Sequence, residues 1–204
     1  MKKRILKRIG CSVIILSSLL MGTACLNPSN AQDVLFYKST RHVGMGDSHD
    51  YNYPVTFDFE NQKYLMERDS QNRLHLKSAD RKTDYLSFIP YEKDVEYEDY
   101  DVKKIYTSNP NLQFLEIIAS VGAHGKTAGY WLIGRYNNKW VTFVSYDSLQ
   151  SMGLPDWARI TSEVNPDRSG KMILNVDEDY PDYMQKIELY WSNKSNWIGM
   201  KRIR

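Results

Sequence analysis

Apolar and polar residues alternate with a period of two along most of this chain. Val55, Phe57 and Phe59 alternate with Thr56, Asp58 and Glu60. Such a pattern puts one apolar face on a half-buried strand. Residues 63–68 and 73–77 read as a hairpin around Asp69-Ser-Gln-Asn72, with Leu74 and Leu76 opposite Arg73, His75 and Lys77. Residues 34–38 and 85–91 are further short strands, the latter ended by Pro90, and the polar, Gly-bearing stretch 41–52 is a loop.

The clearest signal lies between 112 and 146. Phe114-Leu-Glu-Ile-Ile-Ala is nearly all apolar, and a Gly-rich turn follows at 122–127. Segments 129–136 and 139–146 flank Asn137-Asn138, residues that tolerate positive φ and fit a two-residue primed turn. Trp131, Ile133, Trp140 and Val144 are expected on one face, and Leu132, Val141 and Phe143 on the other. Apolar residues on both faces predict central strands covered on each side.

One or two helical turns are expected at 147–153, after which the strand period returns. Ala158, Ile160 and Val164, then Met172, Leu174 and Val176, then Ile187, Leu189 and Trp191 mark successive apolar faces, before a last strand at 197–203. About nine to eleven strands at this spacing predict an all-β fold. It would be an antiparallel meander forming a single sandwich, barrel or curved sheet, with at most short helices. No internal repeat of propeller type is visible in the sequence.

The first 33 residues differ from the rest. Lys2, Lys3, Arg4, Lys7 and Arg8 precede an eleven-residue apolar run, Cys11–Met21. A membrane-spanning helix needs about 20 residues, so the run fits the core of an export signal. Gly22-Thr23-Ala24 then leads into Cys25. Small residues before a Cys resemble the lipobox of bacterial lipoproteins. That resemblance covers residues 1–25 and implies that Cys25 is acylated and becomes the first residue of the mature protein. It divides the chain into a signal peptide at 1–24, a tether at 25–33 and one β-rich domain at 34–204. Ser29-Asn30-Ala31 offers a second cleavage signature, which would release a soluble periplasmic or secreted protein starting at Gln32.

Charge and cysteine use narrow the function. The chain carries 27 Lys+Arg and 25 Asp+Glu. Five of those cations lie in the first eight residues, so the remainder carries a net charge of −3. That is a poor basis for gripping nucleic acid. Both cysteines, Cys11 and Cys25, precede the body, which therefore has no disulfide, thiol nucleophile or Cys-based zinc site. Exported proteins also rarely meet nucleotides. Ser120-Val-Gly-Ala-His-Gly-Lys-Thr127 ends like a P-loop, but Ser stands where that motif needs its first Gly, and a strand pattern follows where it needs a helix.

The other clusters have ordinary readings beside functional ones. Residues 92–101 hold six acids, a candidate calcium site, but alternating charges also mark a solvated edge. Asp177-Glu-Asp-Tyr-Pro-Asp182 is a second acidic turn. His42, Asp47 and His49 share one loop and are zinc-ligand types at no known spacing. His75 and His124 have no evident Ser or carboxylate partner at a diagnostic spacing along the sequence. Trp131, Tyr136, Trp140, Tyr190, Trp191 and Trp197 could stack on sugar rings, though most rings in alternating strands are core.

Cys25, as the lipidation site, is the one site residue assigned; no catalytic, cofactor or metal residue is. The expectation is an exported, lipid-anchored protein of the bacterial cell envelope, a non-enzymatic binding or structural module. Its partners would be the membrane, through Cys25, and an envelope protein or polysaccharide. The alternatives are an exported hydrolase acting on glycan or peptide, and a soluble secreted inhibitor presenting the 41–52 loop.

Overall fold

The computed structural model describes residues 33–43, 53–89, 99–121, 125–156, 158–177 and 184–203. Cys25, Asp47, His49, His124 and the acidic run 92–98 lie outside them. The described residues form β1 (Phe36–His42), β2 (Val55–Phe59), β3 (Gln62–Arg68), β4 (Leu74–Ser78), β5 (Asp84–Phe88), β6 (Asp99–Thr107), β7 (Phe114–Val121), β8 (Lys126–Tyr136) and β9 (Lys139–Ser145). After a short helix α1 (Tyr146–Gln150) come β10 (Arg159–Val164), β11 (Met172–Asp177), β12 (Met184–Ser192) and β13 (Trp197–Ile203). The fold is all-β, with one short helix and no closed barrel. Among the described residues no helix is long and apolar enough to cross a membrane.

The strands form three antiparallel sheets, each a meander in chain order: β2-β3-β4-β5, β6-β7-β8-β9 and β10-β11-β12-β13. β1 adds to the free edge of the middle sheet, beside β6. Short hairpins make such neighbours the simplest topology.

The middle sheet is covered on both faces, which is why β7 is nearly all apolar. Phe114 and Ile118 face the β10–β13 sheet, in a core with Tyr130, Leu132, Leu174 and Leu189. Leu115, Ile117 and Ala119 face the β2–β5 sheet, in a core with Phe57, Met66, Leu76 and Ile133. The described strands thus stack as a three-layer sandwich.

Turn chemistry follows the sequence. Asn137 and Asn138 adopt φ of 50° and 62° between β8 and β9, the primed turn expected there. Glu60 and Asn61 do the same between β2 and β3, with φ of 46° and 62°. Ser145 caps α1 reciprocally with Ser148. One facing assignment differs. Trp131, Ile133 and Trp140 share a core as expected, but Val144 joins Leu132 and Phe143 in the opposite one. The β8–β9 register shifts between Leu132–Val144 and Ile133–Thr142. This bulge puts two consecutive residues of β9 on one face.

A charged network covers part of the β3–β5 surface. Asp69 accepts from the Gln71 N–H at 2.8 Å, the Arg73 N–H at 2.9 Å and Arg73 Nε at 2.6 Å. His75 lies between Asp69 (3.1 Å) and Asp84 (2.7 Å). Burial pushes the Asp69 carboxyl up, but the Arg73 and Gln71 N–H groups, the Arg73 side chain and His75 outweigh it and hold it far below the usual 3.8. A depressed carboxyl stabilises the fold above its unfolded value, and that contribution disappears as pH falls below about 4. Asp69→Ala should therefore cost about 1–3 kcal/mol at pH 7 and much less at pH 2. Urea midpoints at the two pH values would check this; an equal loss at both would contradict it.

Candidate functional site

β6 reads Asp-Tyr-Asp-Val-Lys-Lys-Ile-Tyr-Thr over 99–107. Tyr100 and Val102 are fully buried toward the β2–β5 sheet, and Ile105 toward the β10–β13 sheet. Its remaining side chains open into two separate concavities. Lys104 and Tyr106 line a groove with β2, while Asp99, Asp101 and Lys103 line a cleft with β10. In both, the first strand of one meander meets the first strand of the next.

The groove is the larger, at about 840 Å³. Tyr37 of β1 and Tyr106 of β6 lie side by side, ring centroids 6.5 Å apart. Tyr37 is 52% exposed, and the Lys38 ammonium sits 5.6 Å from the Tyr106 centroid. Across from them stand Asp58, Glu60 and Asn61, and at one end Ser108 and Pro110. Glu60 is unusual twice over. It holds a left-handed conformation that favours Gly or Asn, and its buried Oε1 has no hydrogen-bond partner. Burial raises the Glu60 carboxyl above the ordinary range, against the Arg135 guanidinium and a hydrogen bond from the Gln113 backbone N–H. The φ is the one the two-residue turn between β2 and β3 requires, and the Oε1 atom is sealed from solvent beneath it.

The cleft is smaller, about 300 Å³. At its base Glu116 of β7 is completely buried. Its carboxyl accepts from the Tyr130 hydroxyl at 3.1 Å and the Ser162 hydroxyl at 2.5 Å, so it bridges the middle and third sheets. Burial pushes this carboxyl up, against the Lys103 charge and the two hydrogen bonds. Asp101 is shared by His42 and by Lys103, whose Nζ is 3.2 Å away.

The residues singled out by sequence fare unevenly. His42 pairs with Asp101 rather than standing free, and among the described residues no cluster of three or more His, Cys, Asp or Glu is placed to hold a metal. Lys126 and Thr127 open β8, a strand, as expected of a chain without a P-loop. Thr127 instead joins two sheets: its N–H donates to the Ala158 carbonyl at 3.1 Å and its Oγ1 accepts from the Ile160 N–H at 2.8 Å. The candidate sugar-stacking rings are mostly structural. Trp140 packs on Phe59 and Tyr64, Trp131 on Phe88, Trp191 on Phe114, and Trp197 on Phe143 and Tyr136. Tyr190 lies over Gly199, where an added Cβ would come within 2.4 Å of its ring. Tyr190 and Trp191 also line a concavity of about 450 Å³ with Leu35 and Lys201; the larger groove is lined by exposed Tyr37 and half-buried Tyr106, which the alternation rule does not distinguish from core.

No protein-family model, no curated protein and no solved structure matches this chain.

Proposed function

We propose that the chain is an exported, lipid-tethered binding domain of the bacterial envelope, without catalysis of its own, whose ligand is a polysaccharide. The groove beside β1 is the observation that carries this reading. Sugar rings present apolar C–H faces rimmed by hydroxyls. Tyr37 and Tyr106 offer ring faces for the former, and Asp58, Glu60 and Asn61 offer polar partners for the latter.

The tether rests on the lipobox-like segment ending at Cys25. Ten residues separate Cys25 from Phe36, and a chain of that length spans at most about 35 Å. An acylated Cys25 would hold the domain close to one membrane surface and concentrate it there.

Two measurements test the two halves. Purified cell-wall polysaccharide should retain the mature protein, and Tyr37→Ala should weaken binding about tenfold, equivalent to about 1.4 kcal/mol, with the melting temperature unchanged. Equal retention of the variant would remove the groove from the reading. Intact mass should show a membrane-bound species beginning at diacylglyceryl-Cys25 that disappears in Cys25→Ala. A soluble species beginning at Gln32, unaffected by that substitution, would overturn the tether. One observation favours a second reading: Asp58 and Glu60 share the groove, burial raises the Glu60 carboxyl, and a pair of carboxyls in one concavity is the equipment of glycan hydrolysis. Release of new reducing ends, abolished by Glu60→Gln, would replace binding with hydrolysis.

A further inference from the structure

We propose that the cleft between β6 and β10 is a second binding site, independent of the groove, built for a small zwitterion such as a free amino acid or a dipeptide. The two walls carry opposite charge. β6 contributes Asp99, Asp101 and Lys103, a net negative wall, and β10 contributes Arg159, while Ser120, Thr161 and Ser162 line the space between. Asp101 is occupied by His42 and Lys103. Among the described residues, Asp99 and Arg159 make no ion pair with each other or with anything else. Two unpaired charges of opposite sign therefore face one concavity.

The walls cannot simply close to cancel those charges. Glu116, buried at the base, ties β7 to β10 through the Ser162 hydroxyl and holds Tyr130 at the same time. Thr127 adds the second clamp, between β8 and the Ala158–Ile160 backbone. The spacing of the strands that carry Asp99 and Arg159 is thus fixed by the sandwich itself. Arg159 Nε lies 3.9 Å from where a Cβ on Gly125 would stand, so the guanidinium rests against a turn rather than reaching freely into water.

A guanidinium binds a carboxylate through paired N–H donors, and a carboxylate binds an ammonium. A molecule carrying both groups satisfies both walls at once. A simple cation or a simple anion satisfies one wall and leaves the other charge unpaired, which is how the cleft would discriminate. About 300 Å³ stands at the small end of ligand pockets. The Ser120 and Thr161 hydroxyls can donate or accept, and Ser162, whose proton goes to Glu116, can still accept, so the cleft tolerates several side chains.

The test is calorimetric titration of the mature protein with each of the twenty free L-amino acids and with glycylglycine, at millimolar concentration. At least one should bind. Its N-acetyl and its amide derivatives should each bind at least about tenfold more weakly, as should the zwitterion to Asp99→Asn and to Arg159→Gln, both at exposed positions where the fold is kept. Amino acids binding but not glycylglycine, or the reverse, tells which zwitterion the cleft takes. No binding by any probe would overturn the proposal. So would equal binding of the acetylated and amidated forms, or undiminished binding to both variants. Tyr37→Ala should leave this affinity unchanged; its loss there would mean one site, not two. Failure of polysaccharide binding leaves the result intact, because the cleft and groove share no side chain.

Discussion

Phe114→Ala should remove about 3–5 kcal/mol of folding stability, the range for truncating a fully buried aromatic. Phe114 starts β7 and is completely buried. Its ring meets Phe36 at 5.5 Å, Phe143 at 5.2 Å and Trp191 at 6.3 Å. Those partners come from β1, β9 and β12, so one side chain joins both edges of the middle sheet to the third sheet. The neighbours are themselves large rings held by their own strands, and they cannot collapse into the space left behind. Domains of this size hold only about 5–15 kcal/mol in total, so the variant should unfold at a much lower urea concentration. A loss below about 1 kcal/mol would show that this core relaxes freely, contrary to the tight ring packing.

Glu116→Ala should cost about 2–4 kcal/mol, for a different reason. The Tyr130 and Ser162 hydroxyls would lose their acceptor inside the sandwich, and a cavity would replace the carboxyl. Glu116→Gln keeps an acceptor oxygen and should recover most of that loss. The pH dependence separates the charge from the hydrogen bonds. Burial raises the folded-state value of Glu116 above its usual 4.5. A raised carboxyl holds its proton in the folded state where the unfolded chain has released it. Its contribution is full below about 4.5 and is lost as pH climbs through the raised value. Wild-type stability should therefore fall relative to Glu116→Gln over that window. Parallel urea profiles for the two proteins between pH 4 and 8 would show that the carboxyl ionises without penalty and would refute the assignment.

What the alternation of residues conveys is the layer, not the site. β2, β7, β8, β10 and β11 stand out because burial on one or both faces leaves a clean apolar rhythm. The covering of the middle sheet on both sides follows from the same rhythm, in Phe114–Ala119 and across Asn137-Asn138. β6 does not stand out. Its acids, read as part of a charged edge, run into a strand with a neighbour on each side, β1 and β7. The pattern fails there because β6 spends Asp99, Asp101, Lys103, Lys104 and Tyr106 on two concavities and keeps only Tyr100, Val102 and Ile105 fully buried. The strand least legible as a strand is the one that shapes both candidate sites, as expected where function breaks local rules. Glu116 was hidden the other way: one carboxyl inside an apolar run gives no hint that Tyr130 and Ser162 will meet it, since those contacts join distant parts of the chain. The groove rings were missed because pairing Tyr37 with Tyr106 requires β1 to dock beside β6 across 70 residues.

That long-range docking also sets how load enters the molecule. Every other strand pairs with a neighbour in sequence, but β1 is held by Phe36–Thr107 and three further register pairs interrupted by two shifts. Near its start the Leu35 N–H donates to Ser108 Oγ at 2.9 Å, and the Phe36 N–H donates to the Gly170 carbonyl at 2.7 Å. A pull arriving from the N-terminal side therefore meets these bonds at the start of β1 first. β1 also carries Tyr37, one jaw of the groove. Phe36, next to it in the same strand, is fully buried against Phe114, so β1 cannot be drawn away from the groove without opening that core: the grip of the groove and the integrity of the core are lost together.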